Sequence, residues 1–595
     1  MSWHKRSLSQ SGLRNTCRKK IMTDVLIPLK KENEWKILIV DDFALKILTN
    51  CFKTEEVMAC NIALIENVED IRDCTLYLSV IYILTPTTQS INYLEEDFAA
   101  ERRKYKSAHI FFLSTVPEDL FNDLCEKLDA NLVLTFKEID LYFLPKESQV
   151  YSLNEPDFFK AFYNAYEDLD TSGYKKIAQK LVTLFCNLEE IPLIRYRRNF
   201  VKNLILAEAI QQEIELNKDS LKHIPESKIN KSQLLILDRG FDCISPIIHE
   251  FTFQAMAYDI LDLSEDIYEY ALEVGIMEAE IQSTPLNEED PLWCKLRHEH
   301  IANVARIVQN MIESSEVMKV ATNLKTKYKE LPSLGDAIKE HLLQKSNESF
   351  YSYRHMANDL MKIYCAGINV ISQLEQDLAA RKDADERPIK NVESLVVTTL
   401  SNEDHDIIEK LRLLLLFIFY KKGITKLHFD QIVKNSGISF TDANAITNIL
   451  HLDVDILRPG YCNPFDPHVP QYTDNSTIKY KQSRWVPILK HAMLSAIDGT
   501  LSQDHFPFLD MNTKNEINLA ERRNRYWCVD KKSEHVSRLI VLIVGGVTYS
   551  EMRCAYEVMK TYTGWEIFVG GDDILTPNSF IEKLQDLHGF LSYTQ

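Results

Sequence analysis

The residues with the clearest potential for chemistry are two adjacent carboxylates, Asp41 and Asp42, which follow the apolar run 36–40. Paired carboxylates at the end of a parallel strand can hold Mg²⁺ and a phosphoryl group. The companions of such a site are missing: no second carboxylate cluster follows a later strand of this region, and no lysine is placed to neutralise a phosphate. We therefore favour a capping or surface-binding role. A metal-dependent α/β hydrolase or phosphotransferase is the alternative of another class.

A glycine pair, Gly545 and Gly546, follows another apolar run and precedes an amphipathic stretch, so its backbone N–H groups could face an anion. A dinucleotide site needs G-x-G-x-x-G and a phosphate loop needs Gly-Lys-Ser/Thr, but Thr548, Tyr549 and Ser550 stand where further glycines or a lysine would be needed. The pair is best explained as a tight turn between a strand and a helix. The sequence predicts no cofactor.

Histidine spacing is equally unfavourable for a metal site. His249 and Glu250 begin an H-E-x-x-H pattern, but Phe253 occupies the position of the second ligand. His298 and His300 are two residues apart, about 200° around a helix, and cannot chelate one ion together. No G-x-S-x-G sequence or recognisable catalytic triad is present. The sequence therefore predicts no metal ligands, no catalytic residues and no enzymatic activity.

The chain of 595 residues is acidic, with 68 Lys and Arg against 87 Asp and Glu and a formal charge of −19. Nucleic acid is an unfavourable partner, because phosphate contacts need clustered cations. The compact cluster of Arg195, Tyr196 and Arg197 is better explained by internal pairing with these acids. Twelve cysteines without a C-x-x-C pair indicate reduced thiols, and no apolar run is long enough to span a bilayer. We expect a cytoplasmic monomer that reaches membranes only through a partner.

The first 25 residues form an N-terminal extension that is basic and free of acids up to Asp24. It lacks the apolar segment of a secretion signal. We expect an exposed, poorly ordered tail, and a mitochondrial presequence is the alternative.

Short apolar runs alternate with amphipathic stretches in the first 150 residues, as is typical of a parallel sheet covered on both faces. Long helical patterns then fill residues 250–470, and the Pro-rich stretch 459–470 leads back to two further apolar runs. The predicted strands are 36–40, 62–65, 78–84, 108–113, 131–134, 234–237, 538–544 and 565–569, and the longest predicted helices are 293–315, 350–380 and 404–420.

These patterns predict two parallel-sheet α/β domains and a mainly helical inserted domain. The predicted boundaries are 1–25 for the extension, 26–140 for domain 1, 141–250 and 475–595 for a discontinuous domain 2, and 251–474 for domain 3.

Segments from about residue 30 to 580 resemble, in order, those of the Sec-one/Munc-eighteen family, also called SM proteins. The most specific are SQLLILDRGFD at 232–242, DPLWCKLRHEHI at 290–301, QSRWVP at 482–487 and GGVTYSEMRCAYEV at 545–558. SM proteins are cytosolic partners of SNAREs in vesicle fusion, and the Unc-eighteen branch of the plasma membrane is the most similar. The resemblance implies a three-domain arch around a central cleft, with a discontinuous second domain.

The resemblance also implies that the first and third domains clasp syntaxin, a helical membrane SNARE, either in its closed form or within an assembling SNARE complex. By position, the syntaxin-facing residues would be Asp41, Leu45, Lys46, Lys53 and Glu66. The charged residues would pair with the partner, and Leu45 would supply an apolar contact.

Two further residues, Phe121 and Glu138, match the family's outer pocket for the short N-terminal peptide of syntaxin. An aromatic ring beside a carboxylate suits a peptide with an apolar anchor and a basic residue. Core packing of Phe121 is the alternative.

Two stretches depart from the family pattern: 322–355, where a hairpin near Pro332 would face the vesicle SNARE, and 458–480, which lacks an expected basic run. Which syntaxin is the partner, and in which binding mode, therefore stays open. An SM protein of endosomal or vacuolar traffic is the alternative within the family.

Overall fold

The computed structural model describes residues 12–99, 103–164, 171–221, 224, 229–272, 280–311, 313, 350–469, 480, 483–509 and 537–587. The predicted hairpin near Pro332 lies outside these described residues, and so do residues 1–11 and 470–479.

The N-terminal extension is helical where it is described, and the expected disordered tail is wrong for residues 12–25. Helix α1 (Leu13–Ile21) continues through a π-helical turn (Met22–Leu26) into the short α2 (Ile27–Leu29). Leu13, Cys17 and Ile21 recur every four residues and are buried in the largest core cluster. One apolar stripe at helical spacing is sufficient to dock a basic segment.

Among the described residues the first sheet has five parallel strands, which are β1 Lys36–Val40, β2 Ile62–Asn67, β3 Ser79–Leu84, β4 Ala108–Phe112 and β5 Val133–Glu138. Their order across the sheet is β2-β1-β3-β4-β5. The central strands β1, β3 and β4 are almost wholly buried, which explains their uninterrupted apolar sequences, whereas the edge strands β2 and β5 are partly exposed.

Helices cover this sheet on both faces. The helix after β1 packs on the face that carries Leu38 and Val40, and the helices after β3 and β4 pack on the face that carries Ile37 and Ile39. These helices are α3 (Asp42–Cys51), followed by the short α4 (Thr54–Met58), then α5 (Thr88–Phe98) and α6 (Glu118–Lys127).

In the part of the chain that the structure describes, the second sheet has six strands, which are β6 Leu144–Glu147, β7 Val150–Ser152, β8 Ile191–Tyr196, β9 Ile229–Asp238, β12 Ser537–Val544 and β14 Trp565–Gly571. Their order is β6-β7-β14-β12-β9-β8, and they are parallel except for the β6–β7 pair. The central strand β12 pairs with β9, which lies about 300 residues earlier in the chain, so two distant segments share one sheet.

Helices and one small strand pair complete the second unit. Asn203 of one of these helices donates to Asp238 at the end of β9. The helices are α7 Phe158–Tyr163, α8 Thr171–Leu188, α9 Val201–Leu216 and α10 Lys218–Leu221, and after the insert α20 Ile488–Ile497, α21 Tyr549–Thr561 and α22 Pro577–Gln585; the strand pair is β13 Val547–Thr548 with β15 Ile574–Leu575.

The inserted block between the two halves of the second sheet is mainly helical and also contains an antiparallel hairpin that the sequence did not predict. The hairpin strands are β10 Ile267–Leu272 and β11 Glu280–Pro285. The helices are α11 Phe253–Ile260, α12 Pro291–Leu296, α13 301–311, α14 350–363, α15 Asn369–Ala380, α16 Val392–Leu400, α17 Ile407–Lys421, α18 Lys426–Ser436 and α19 Phe440–Thr447.

Two predicted long helices are interrupted. The helix predicted at 293–315 ends at Leu296, because the backbone of 297–301 turns to bond with the segment 251–254 through Glu299 and Ile301. The helix predicted at 350–380 contains a π-helical kink at Tyr364–Ile368. His298 and His300 therefore do not share a helix, and burial lowers the pKa of His298 to about 2.

The predicted fold class, two parallel-sheet α/β units with a mainly helical insert, is confirmed. The domain boundaries stay a prediction. Across the described residues, no helix is both long and apolar enough to cross a membrane.

Candidate partner-binding surfaces

Asp41 lies where β1 ends and α3 begins, and both of its carboxylate oxygens are occupied by backbone donors. Oδ1 accepts from the N–H of Ala44 at 2.8 Å, which caps α3, and Oδ2 accepts from the N–H of Thr85, just after β3, at 2.5 Å. Asp42 accepts from the side-chain amide of Asn67 at 2.6 Å. These contacts fit the capping interpretation, and the described part of the chain contains no group of three or more His, Cys, Asp or Glu side chains arranged to hold a metal ion.

Three further predicted residues follow α3 toward its end. Leu45 is half-buried and packs against the core, and Lys46 is exposed. Lys53 lies just beyond α3 with its side chain 54% exposed, and its ammonium is 3.8 Å from Glu289 in the loop before α12. Lys53 is therefore shared between solvent and an internal partner, a contact that the sequence did not indicate. We call Asp41, Leu45, Lys46 and Lys53 the α3 surface.

Glu66 lies on the other face of the sheet from α3. It is level with Ile39 in the β1–β2 register, and Ile39 belongs to the core beneath α5 and α6. Burial raises the pKa of Glu66, against the nearby charge of Arg72. The structure thus groups four of the five predicted residues along α3. The fifth, Glu66, lies on the edge strand β2, on the opposite face of the sheet. A partner that touches all five must reach around the end of β2.

Phe121 and Glu138 lie together at the opposite edge of the same sheet. The ring of Phe121 is 42% exposed and meets Phe136, itself 38% exposed, edge to face at 5.5 Å. Glu138 accepts from the N–H of Val116 at 2.7 Å, and burial raises the pKa of its carboxyl. The lining of this open cavity of about 530 Å³, which we call the outer pocket, is Val116, Glu118, Phe121, Asn122, Phe136, Lys137 and Glu138.

Phe136 is a pocket residue that the sequence reasoning missed. Leu134, Phe136 and Glu138 alternate along the edge strand β5 and so point to one side of it. Leu134 and Phe136 are exposed apolar residues. The predicted strand ended at residue 134, whereas β5 continues to Glu138, so the prediction did not include the alternation of these three residues.

The fold combines two parallel-sheet α/β units with a mainly helical insert, and the α3 surface and the outer pocket are its two candidate binding surfaces. A model of the Sec1 family matches residues 36–583, and the chain belongs to that family. It is 29% identical to protein transport protein sec1 of Dictyostelium discoideum, over 97% of this chain and 99% of that one, and 24% identical to the SNARE-interacting protein KEULE of Arabidopsis thaliana, over 96% and 95%.

Solved structures agree with this assignment. The Unc18–syntaxin 1 complex from Monosiga brevicollis contains a chain that matches with 26% identity and a TM-score of 0.81, over 96% of this chain and 99% of that chain. The SM protein Vps45 in complex with the Qa SNARE Tlg2 matches with 17% identity and a TM-score of 0.78, over 97% and 98%, which supports the fold.

Proposed function

We propose that this protein binds a syntaxin-type SNARE and regulates SNARE complex assembly in vesicle docking, fusion and exocytosis. The observation that carries the proposal is the similarity, over nearly the whole chain, to a protein solved as a complex with syntaxin 1. Membership of the Sec1 family and the SNARE-interacting relative support it. The protein acts by binding rather than by catalysis. It works in the cytoplasm as a monomer and reaches the plasma membrane or vesicles through its syntaxin.

The chemistry of the two surfaces suits two different parts of a syntaxin. The α3 surface, with Glu66 around the edge, offers charges of both signs to a folded helical partner. The outer pocket lies on the β5 edge and offers two half-exposed rings beside the acids Glu118 and Glu138. An extended peptide with an apolar anchor and a basic residue fits that chemistry. We propose that the closed syntaxin bundle occupies the α3 surface and that its N-terminal peptide occupies the outer pocket.

Calorimetric titration tests the proposal directly. The protein is titrated with the cytosolic parts of plasma-membrane and endosomal syntaxins, each with and without its N-terminal peptide. Saturable binding to one of them supports the proposal and separates exocytosis from the endosomal or vacuolar alternative. The truncated fragments show whether the peptide contributes. Absence of binding to every syntaxin would contradict the proposal, and Mg²⁺-dependent turnover that is lost in Asp41→Asn would favour the enzymatic alternative.

A further inference from the structure

Lys180 of α8 lies between the two α/β units with its side chain only 2% exposed. Its ammonium donates to the carbonyl oxygen of Leu153 at 2.5 Å and pairs with a carboxylate oxygen of Glu155 at 2.6 Å. Burial lowers the pKa of Lys180 to about 8, although the charge of Glu155 opposes this effect. Lysines are almost never this buried unless the charge has partners.

Two aromatic rings complete the surroundings of this ammonium. Nζ lies 4.4 Å from the ring centroid of Tyr142 and 4.7 Å from that of Phe43, and the two rings meet edge to face at 5.5 Å. Attraction between a cation and a ring is stronger when the cation is shielded from water. Tyr142 is itself anchored to α8, because its N–H donates to the hydroxyl of Thr183 at 3.2 Å. We call Lys180, Glu155, Tyr142 and Phe43 the lysine cage.

Only one member of the lysine cage comes from the first sheet unit. Phe43 is the second residue of α3, two positions after the capping residue Asp41 and two before Leu45. Further along α3, Ile47 and Leu48 are buried in the core and hold the helix on its sheet. The first turn is also held by the Asp41 cap and by the buried Ala44, so loss of the cage would leave the helix packed and remove only the anchoring of this turn through Phe43.

We propose that Lys180 is a positioning residue for partner binding: by holding Phe43, it fixes the first turn of α3 in the orientation that presents Leu45 and Lys46 to a helical SNARE. The inference rests on the function proposed above, because it concerns the same surface. It adds a buried residue that belongs to the other α/β unit.

The test compares two lysines of α8. Lys180→Met keeps the unbranched side chain as far as Cε and removes the ammonium and its charge. Lys176→Met is the matched control, because Lys176 lies one turn earlier and also pairs with Glu155, at 2.9 Å, but is 48% exposed and makes no ring contact among the described residues. We expect Lys180→Met to weaken binding of a syntaxin cytosolic fragment about tenfold, consistent with the loss of one desolvated cation–π site. Lys176→Met should leave it unchanged.

Two readouts separate positioning from general damage. Binding of the syntaxin N-terminal peptide at the outer pocket should be unchanged in Lys180→Met, because that pocket lies on the far edge of the sheet. Amide hydrogen exchange of residues 42–46 should be faster in Lys180→Met and unchanged in Lys176→Met, and this measurement needs no partner. Phe43→Leu removes the ring and leaves Lys180 paired with Glu155. It should reproduce the weaker binding of the syntaxin fragment and the faster exchange of residues 42–46, so the inference can be tested even if Lys180→Met does not fold.

The affinity at the α3 surface should also fall as the pH rises through about 8, where Lys180 loses its proton. The charged and titratable groups around the ammonium are Glu155, Lys176 of α8 and Tyr142, whose pKa is raised by burial to about 12. The ordinary pKa of a lysine is 10.5. The free energy of unfolding therefore rises with pH between about 8 and 10.5, and unfolding does not explain a loss of affinity in this range. Lys180→Met should lack this pH dependence.

The possible results are distinct. If wild type binds syntaxin and Lys180→Met and Phe43→Leu match Lys176→Met in affinity and exchange, the inference is wrong and the proposed function stands. If wild type binds no syntaxin, the proposed function fails, and faster exchange at α3 in Lys180→Met would still support positioning by Lys180. Equal losses at the α3 surface and the outer pocket would show general damage and overturn the inference.

Discussion

At the scale of single residues, Phe121 is the sharpest test of the outer pocket. Phe121→Ala removes a half-exposed ring that contacts Phe136 and leaves the bond between Glu138 and Val116 in place. We expect binding of a syntaxin N-terminal peptide to weaken by more than about 1 kcal/mol, as for an exposed aromatic anchor, with little change in thermal stability. Calorimetric titration measures the loss. Phe440→Ala, at an exposed ring on α19, is the control and should bind normally.

Lys46 tests the α3 surface in the same way. Lys46→Glu reverses an exposed charge on α3, which turns an attraction for the partner into a repulsion. Affinity for closed syntaxin should fall, and more strongly at low salt, because salt screens exposed charges. Titration at two salt concentrations measures both effects. Lys426→Glu on α18 makes the same charge change at another exposed lysine. Equal affinities for the two variants and wild type would remove Lys46 from the interface.

The sequence favoured a capping or surface-binding role for Asp41 over a metal site, but it could not identify the groups that donate to the carboxylate. The capping partner Ala44 is local, yet the second donor, the N–H of Thr85, comes from the residue that follows β3, 44 residues later. Internal pairing of Arg197 was predictable from the excess of acids, but its partners Asp238 and Asp466 were not. The type of a residue thus indicates that it needs a hydrogen-bond or ion-pair partner, but only the fold shows which residue that partner is.

At the scale of elements, helix α1 shows where a prediction from charge fails. The basic residues of this segment resemble those of a tail because their acidic partners are distant in sequence. In the structure Arg14 pairs with Glu288 and Glu289, and Arg18 pairs with Glu56. The apolar stripe of α1 was the better signal. In contrast, the buried strands of both sheets were readable, because strands covered on both faces must be continuously apolar.

Leu13→Ala tests whether α1 is part of the core. Leu13 is fully buried, and truncation of a buried leucine costs about 2–5 kcal/mol. We expect a lower free energy of unfolding and a lower Tm, measured by denaturant and thermal unfolding. Lys19→Ala, at an exposed position of the same helix, should have almost no effect. Unchanged stability in Leu13→Ala would restore the interpretation of this segment as a detached tail.

At the scale of the whole molecule, the loop before α12 joins parts of the chain that no sequence pattern connects. The carboxylate of Glu288 accepts from Arg14 of α1, from Arg297, from the N–H and hydroxyl of Ser148 in the β6–β7 turn, and from Tyr556 of α21. One buried side chain in the helical insert therefore contacts the N-terminal helix and both halves of the second sheet unit. The fold class was predictable from strand and helix patterns, but this joint was not, because its members are up to 274 residues apart from Glu288.

Glu288→Gln tests this joint. Burial alone would raise the pKa of Glu288, but Arg297, Ser148 and Arg14 outweigh it and hold the pKa below its ordinary value of 4.5. The ionised carboxylate therefore contributes stability that is present above about pH 4.5 and is lost as the pH falls through the lowered value. We expect Glu288→Gln to lower the free energy of unfolding by about 1–3 kcal/mol at pH 7 and to flatten its decline on acidification. Glu289→Gln is the control, because the carboxylate of Glu289 is more exposed and also pairs with Arg14, and it should lower the free energy of unfolding by less. Equal losses in the two variants would show that the charge of Glu288 has no special role in holding these parts together.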